Sequence, residues 1–189
     1  LAAVKREDFI PAAHRAQAFT DIEIPLEGGR SLLAPRVEAR LVQDLNLSKR
    51  DTVLQIGTGT GYVTALLAHK AQRVVALDSD ANLVTAARAN LRQAGISNAE
   101  VVHNDGSQGY VGQDPYDAIV LTGSVAEVPQ VLLDQLKVGG RLLAVVGQEP
   151  MMQATLITRV NDTQFSRQAL FDTVIARLPG FAEASRFAF

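Results

Sequence analysis

Apolar residues in this chain fall in short blocks divided by glycine, proline and polar residues, and the spacing inside the blocks alternates between two periods. Residues 52–56 (TVLQI) form a compact β-branched block, which predicts a buried strand, and the turn Gly57-Thr-Gly-Thr-Gly61 follows at once. The stretch 62–69 is apolar over helical length. A second strand is predicted at 73–77 (RVVAL). It leads into 80–94, where Leu83, Ala87, Leu91 and Ala94 share one helical face and Gly95 supplies the stop. Further strands are expected at 100–103, 118–122 and 141–146, with a helix at 129–136 that opens on Pro129.

Strands and helices that alternate at this spacing pair in parallel through right-handed crossovers, so the class is doubly wound α/β. The tail breaks the alternation. Residues 154–160 and 170–177 read as two strands joined by the polar turn Asn161-Asp162-Thr163, a hairpin that would close one sheet edge. The expected sheet is mostly parallel with about seven strands and an antiparallel edge hairpin. Residues 1–50 hold two short helical pieces and a Pro/Gly-rich segment at 25–35, a lid or substrate wall ahead of a core at 51–189. No repeat or linker divides the 189 residues, so one compact domain is expected.

Composition narrows the choice of partner. Hydrophobic residues make up 47% and charged ones 20%, which is ordinary for a folded domain. With a net charge of -2 and no dense basic tract, nucleic acid is not an expected partner. No apolar run approaches the ~20 residues that span a bilayer, so no membrane is expected either. The absence of cysteine excludes disulfides, thiolate catalysis and a Cys-built zinc site; no metal is expected, and the cytoplasm is the expected location. The chain starts on Leu1 rather than methionine, which leaves room for a further upstream segment.

A ligand of an open α/β sheet binds beyond the carboxyl ends of the strands, where strand order reverses. The glycines at 57, 59 and 61 sit at such an end. They let the backbone turn sharply and approach a ligand, while the next helix offers unpaired N–H groups to an anion. Asp78 stands twenty-one residues after Gly57, at the end of the second strand, where a carboxylate can accept from both hydroxyls of a ribose. A helix N-cap is the competing role, and Asp80 serves it equally well. A dinucleotide would use the same groups, but its fingerprint is G-x-G-x-x-G, whereas here Gly61 comes one place early and Tyr62 fills the slot. After the third strand, Asp105 is placed either to accept from an adenine amine or simply to make an Asp-Gly turn. The ligand these features fit is S-adenosyl-L-methionine, its methionine carboxylate being the anion.

The blocks IGTGTGY, ALDSD, NDGSQGY, PYDAIVLTGS, VPQVLLDQLKVGGRLLAVVG and LFDTVIARLPGF resemble protein-L-isoaspartate O-methyltransferases. Upstream, Arg6, Phe9, Pro11, Phe19, Asp21, Pro25, Gly29 and Pro35 fall where that family carries its markers, so the likeness spans nearly the whole chain. It implies a Rossmann-like methyltransferase fold. It implies transfer of a methyl group from S-adenosyl-L-methionine to an isoaspartyl carboxylate of a damaged protein or peptide, leaving S-adenosyl-L-homocysteine. The candidate cofactor residues are Gly57, Thr58, Gly59, Gly61, Tyr62, Asp78, Ser79, Asp105 and Gly106. A carboxylate with a pKa of about 4 is already ionised at neutral pH, so no general base is needed, and His14, His69 and His103 are expected to be bystanders.

The acceptor wall departs from the family pattern D-x-P-L-P-I-G-x-G-Q-T-I-S-x-P. Glu23 stands for a proline, Glu27 for a glycine, Arg30 for glutamine, Ser31 for threonine and Leu33 for serine. The resemblance makes that serine the polar group beside the reacting carboxylate, which leucine cannot replace. Arg30, Ser31 and Leu33 are therefore the candidate acceptor-side residues, with the Arg30 guanidinium able to bind a carboxylate through two parallel hydrogen bonds. Alternatives are a paralogue with another acceptor, such as a small molecule, or a module that binds the cofactor without turnover.

Overall fold

A computed structural model describes residues 3–184. Two 3-10 turns, Arg6–Phe9 and Ala12–Gln17, open the chain. A miniature hairpin follows, β1 (Ile24–Pro25) with β2 (Ser31–Leu32), and then helix α1 (Pro35–Asp44). The core runs β3 (Thr52–Ile56), α2 (Tyr62–Lys70), β4 (Arg73–Asp78), α3 (Ala81–Gln93), β5 (Ala99–His103), β6 (Tyr116–Val125), α4 (Gln130–Asp134), β7 (Leu136–Gln148), β8 (Met151–Arg159) and β9 (Phe165–Asp172).

The main sheet has seven strands in the order β5-β4-β3-β6-β7-β8-β9. The pairs from β5 to β7 are parallel, and β8 and β9 add on antiparallel. Strand order reverses between β3 and β6, so the crevice for a ligand lies beyond their carboxyl ends.

Side chains alternate across a strand, and here they divide the interior into two layers. Val53, Val74, Ala118 and Val145 face one layer with Leu66, Val84 and the N-terminal residues Phe9, Ile24 and Leu33. Leu54, Val75, Ile119 and Ala144 face the other with Leu132, Leu133, Leu178 and Phe181. Helix α2 is apolar on every side because sheet and N-terminal segment enclose it, burying each residue from Tyr62 to Ala68. The N-terminal segment thus shares the core of the sheet.

Several expected elements shift in the second half of the chain. The helix expected at 129–136 stops at Asp134, because Tyr116 N–H donates to the Gln135 carbonyl and Leu136 opens β7 in register with Tyr116. Strand β7 then passes Gly139 and Gly140; a Cβ at Gly140 would lie 2.8 Å from the Lys137 carbonyl oxygen. The final strand, expected at 170–177, is Phe165–Asp172 instead. Its residues are mostly exposed on a sheet edge and carry little apolar signal, whereas the apolar Ile175 beyond it packs into the core from an irregular segment.

Candidate active site

Residues 57–61 bridge β3 to α2 with Gly57, Gly59 and Gly61 all at positive φ (94°, 57° and 93°), a backbone that side chains with a Cβ strongly disfavour. The amides of Gly57 and Thr58 both donate to the Leu77 carbonyl, and the Thr58 hydroxyl donates to it at 3.0 Å. The Thr58 side chain therefore fastens the loop to β4. Gly61 caps α2, and a Cβ there would sit 3.4 Å from backbone atoms of Ala87, so this glycine permits close approach of α3.

Asp78 ends β4 with its carboxylate fully enclosed. Its Oδ2 accepts from the Gly59 N–H at 2.8 Å and its Oδ1 from the Asp80 N–H at 3.0 Å, so the acid is aimed into the glycine loop. Asp80 takes the N-cap role: its Oδ1 accepts from the amides of Asn82 and Leu83. Ser79 is half-buried between them, and its carbonyl accepts from His103 Nε2 at 2.9 Å. Asp105 forms a turn through Oδ1, which accepts from the Ser107 N–H at 2.8 Å. The other oxygen, Oδ2, faces Gly180, where a Cβ would come within 2.8 Å. Gly106 lies against Ile56, with room for no larger residue.

Three candidates are turned elsewhere. The Tyr62 ring packs on Phe9, centroids 5.7 Å apart, with the Arg6 guanidinium over it, so only its backbone stays at the loop. Leu33 is buried in the core and contributes a carbonyl, which accepts from Arg6 Nη2 at 2.9 Å. Burial favours an apolar side chain, so Leu33 faces inward, next to the buried pair that Arg6 Nε forms with Glu38 Oε2 at 3.1 Å. Ser31 is half-buried on β2; the Glu23 carboxyl, pushed above its ordinary value by burial, is pulled back down by the Ser31 hydroxyl.

Arg30 is the wall residue that reaches the crevice. From the hairpin tip, its Nη1 donates to Asp78 Oδ1 at 2.8 Å and its Nη2 to Oδ2 at 3.0 Å. Residues 26–30 thereby lie over the glycine loop, with Leu26 near Gly59 and Gly28 near Asp80.

Several groups at the site carry no motif. Thr122 of β6 donates from its hydroxyl to the carbonyls of Ile56 and Gly57, and Gln55, buried in β3, accepts from the Thr64 hydroxyl at 2.6 Å. Residues 175–178 form a strap across the ends of β3 and β6. Ser124 N–H donates to Ala176 O, Leu178 N–H donates back to Ser124 O, and the Leu178 side chain abuts Gly57 and Gly123. The glutamine inside the apolar block TVLQI was the one signal for this network that the sequence offered. Among the described residues, no group of three or more His, Asp or Glu is arranged to hold a metal, and no helix is long and apolar enough to cross a membrane.

The glycine cradle, the enclosed acid and the α2 N-terminus fit an adenosyl cofactor whose carboxylate end meets backbone amides. Comparison with known proteins agrees. The family model described as protein-L-isoaspartate(D-aspartate) O-methyltransferase matches residues 1–178. A protein-L-isoaspartate O-methyltransferase of Methanoculleus marisnigri is 42% identical over 144 residues, covering 76% of this chain and 66% of the relative. That of Koribacter versatilis is 34% identical over 180 residues, 95% of this chain and 81% of the relative. A solved structure of a protein-L-isoaspartate O-methyltransferase superposes with a TM-score of 0.81 at 27% identity, covering 94% of this chain and 59% of that one. Another, from Plasmodium falciparum and in complex with S-adenosyl-L-homocysteine, gives 0.79 at 23% identity over 94% of this chain and 87% of that one. The chain belongs to the protein-L-isoaspartate(D-aspartate) O-methyltransferase family.

Proposed function

We propose that this protein methylates the side-chain carboxylate of isoaspartyl residues in proteins or peptides, with S-adenosyl-L-methionine as donor. The observation that carries this is the enclosed Asp78 carboxylate, held by the Gly59 amide at the reversal of strand order. Asp78 would take the ribose hydroxyls, the glycine loop and the first amides of α2 the methionine carboxylate, and Asp105 and Gly106 the adenine. Ser79 and Thr58 hold the surrounding backbone in place.

When bound, the cofactor supplies an electrophilic methyl carbon: a carboxylate oxygen forms the C–O bond as the C–S bond breaks, the bonding pair stays on sulfur, and no proton moves. The protein's task is then alignment and exclusion of water. Residues 3–50 supply the wall and the lid for that task, and the strap through Leu178 shields the ends of β3 and β6. A cavity of about 740 Å³ opens between Glu23 of the hairpin and Arg177 and Glu183 of the C-terminal segment, room enough for part of a peptide. Since the acceptor is ionised already, neither a histidine base nor a metal is required. A soluble cytoplasmic enzyme acting on protein rather than nucleic acid or membrane is in keeping with its charge of -2.

The test is transfer of labelled methyl to an isoaspartyl peptide, with the matching aspartyl peptide and an amine as controls. A base-labile ester on the isoaspartyl peptide alone is expected. A base-stable product, or equal labelling of the aspartyl peptide, would overturn the assignment.

A further inference from the structure

The oxygens of Asp78 have no capacity left for a ribose. A carboxylate offers about four acceptor positions. Here they are taken by Gly59 N–H, Asp80 N–H and both terminal nitrogens of Arg30. The two amides belong to the turns that end β3 and β4 and cannot leave without dismantling the loop. The Arg30 bonds come from a flexible side chain on a hairpin tip, and they number two, as do the hydroxyls of a ribose. Exchange of one pair for the other is the one substitution that keeps the carboxylate satisfied.

The place where the guanidinium rests adds a second constraint. Arg30 Nη2 lies 3.4 Å from where a Cβ of Gly57 would be, beside Thr122 and Leu178 and well inside the crevice. Its side chain is 10% exposed and that of Asp78 is fully covered. A cation held there without an anion is costly, so displacement from Asp78 favours capture of another carboxylate. An isoaspartyl acceptor brings one, in the planar form that a guanidinium binds through two bonds. Leu33, whose side chain lies in the core, leaves that contact to Arg30.

We propose that Arg30 is a donor-gated receptor for the acceptor carboxylate: it closes the hairpin on Asp78, and the ribose releases it to bind the acceptor. The proposal rests on the isoaspartyl assignment above. It makes cofactor and acceptor binding mutually reinforcing, because each favours the released arginine.

Two measurements test it. Calorimetry with S-adenosyl-L-homocysteine should show Arg30→Gln binding at least about fivefold more tightly than the unaltered protein, since the internal competitor is gone. Arg30→Lys, which keeps the charge but loses the paired geometry, should fall between them. Anisotropy of a labelled isoaspartyl peptide should show binding to the unaltered protein strengthened at least about fivefold by S-adenosyl-L-homocysteine, and no such gain in Arg30→Gln. The second measurement on the unaltered protein needs no variant to fold. Equal or weaker cofactor binding by folded Arg30→Gln, or peptide binding indifferent to S-adenosyl-L-homocysteine, overturns the gate. Failure of the unaltered protein to bind S-adenosyl-L-homocysteine would instead overturn the cofactor assignment.

Discussion

Arg6 Nε donates to Glu38 Oε2 at 3.1 Å inside the wall, while Glu38 Oε1 is enclosed with no hydrogen-bond partner. Burial pushes the Glu38 carboxyl up to about 7, the Arg6 charge and hydrogen bond pulling the other way. The folded state therefore binds more protons than the unfolded one between about pH 4.5 and 7. The stabilisation from this group is full below that window and is lost as the pH rises through 7. Thermal melts from pH 5 to 8 should show a falling melting temperature that flattens in Glu38→Gln. Parallel slopes for the two proteins would place the titrating group elsewhere.

Replacing Asp78 by alanine should act on the cofactor in the opposite direction from replacing Arg30. Loss of hydrogen bonds to a charged acceptor should weaken S-adenosyl-L-homocysteine by about 1.5–3 kcal/mol. It also strands the Gly59 and Asp80 amides, so the melting temperature should fall as well. Calorimetry paired with melts checks both. Unchanged affinity in folded Asp78→Ala would show that the ribose lies elsewhere.

Gly57→Ala and Gly95→Ala make a matched pair. Both glycines have positive φ, 94° and 72°, so each alanine carries a similar backbone strain of about 1 kcal/mol. At Gly95 a Cβ meets nothing within 4 Å, whereas at Gly57 it would lie 2.9 Å from Leu178 Cδ2 and 3.0 Å from Thr122 Oγ1. Gly57→Ala should lose methyl transfer and cofactor affinity as the strap shifts, and Gly95→Ala should keep both. Equal activity in the two variants would mean that the strap is not part of the site.

Much of this was legible in advance because it rests on short-range rules. The block TVLQI and the glycines after it announce a strand and a turn, and Asp80 announces a helix start by its side chain. The last strand lies upstream of its expected place because an exposed edge strand needs few apolar residues, and its pairing with β8 is a long-range fact. Three side-chain directions escaped for the same reason. Tyr62 and Leu33 follow motif positions but turn to Phe9 and the core, and Arg30 spans 48 residues of sequence to reach Asp78. No local pattern encodes such contacts.

Leu33 gives the sharpest test of what the fold adds to family resemblance. By position alone, Leu33→Ser would restore the family's hydroxyl and raise turnover. In the structure the side chain is 4% exposed among core residues, and the residue meets Arg6 through its carbonyl. Serine would then leave a cavity where the isobutyl group was, at a cost of about 2–5 kcal/mol. The hydroxyl itself would find an apolar surrounding, a further loss of about 1–3 kcal/mol if it stays unpaired. For a domain of this size the two losses together should lower the melting temperature by roughly 6–30 °C. No gain in isoaspartyl methyl transfer is expected below that melting range, and the peptide KM should stay near that of the unaltered protein because Arg30 is untouched. A faster enzyme with an unchanged melting temperature would show that residue 33 turns outward during turnover, and the acceptor carboxylate would then be held from that position as well as from Arg30.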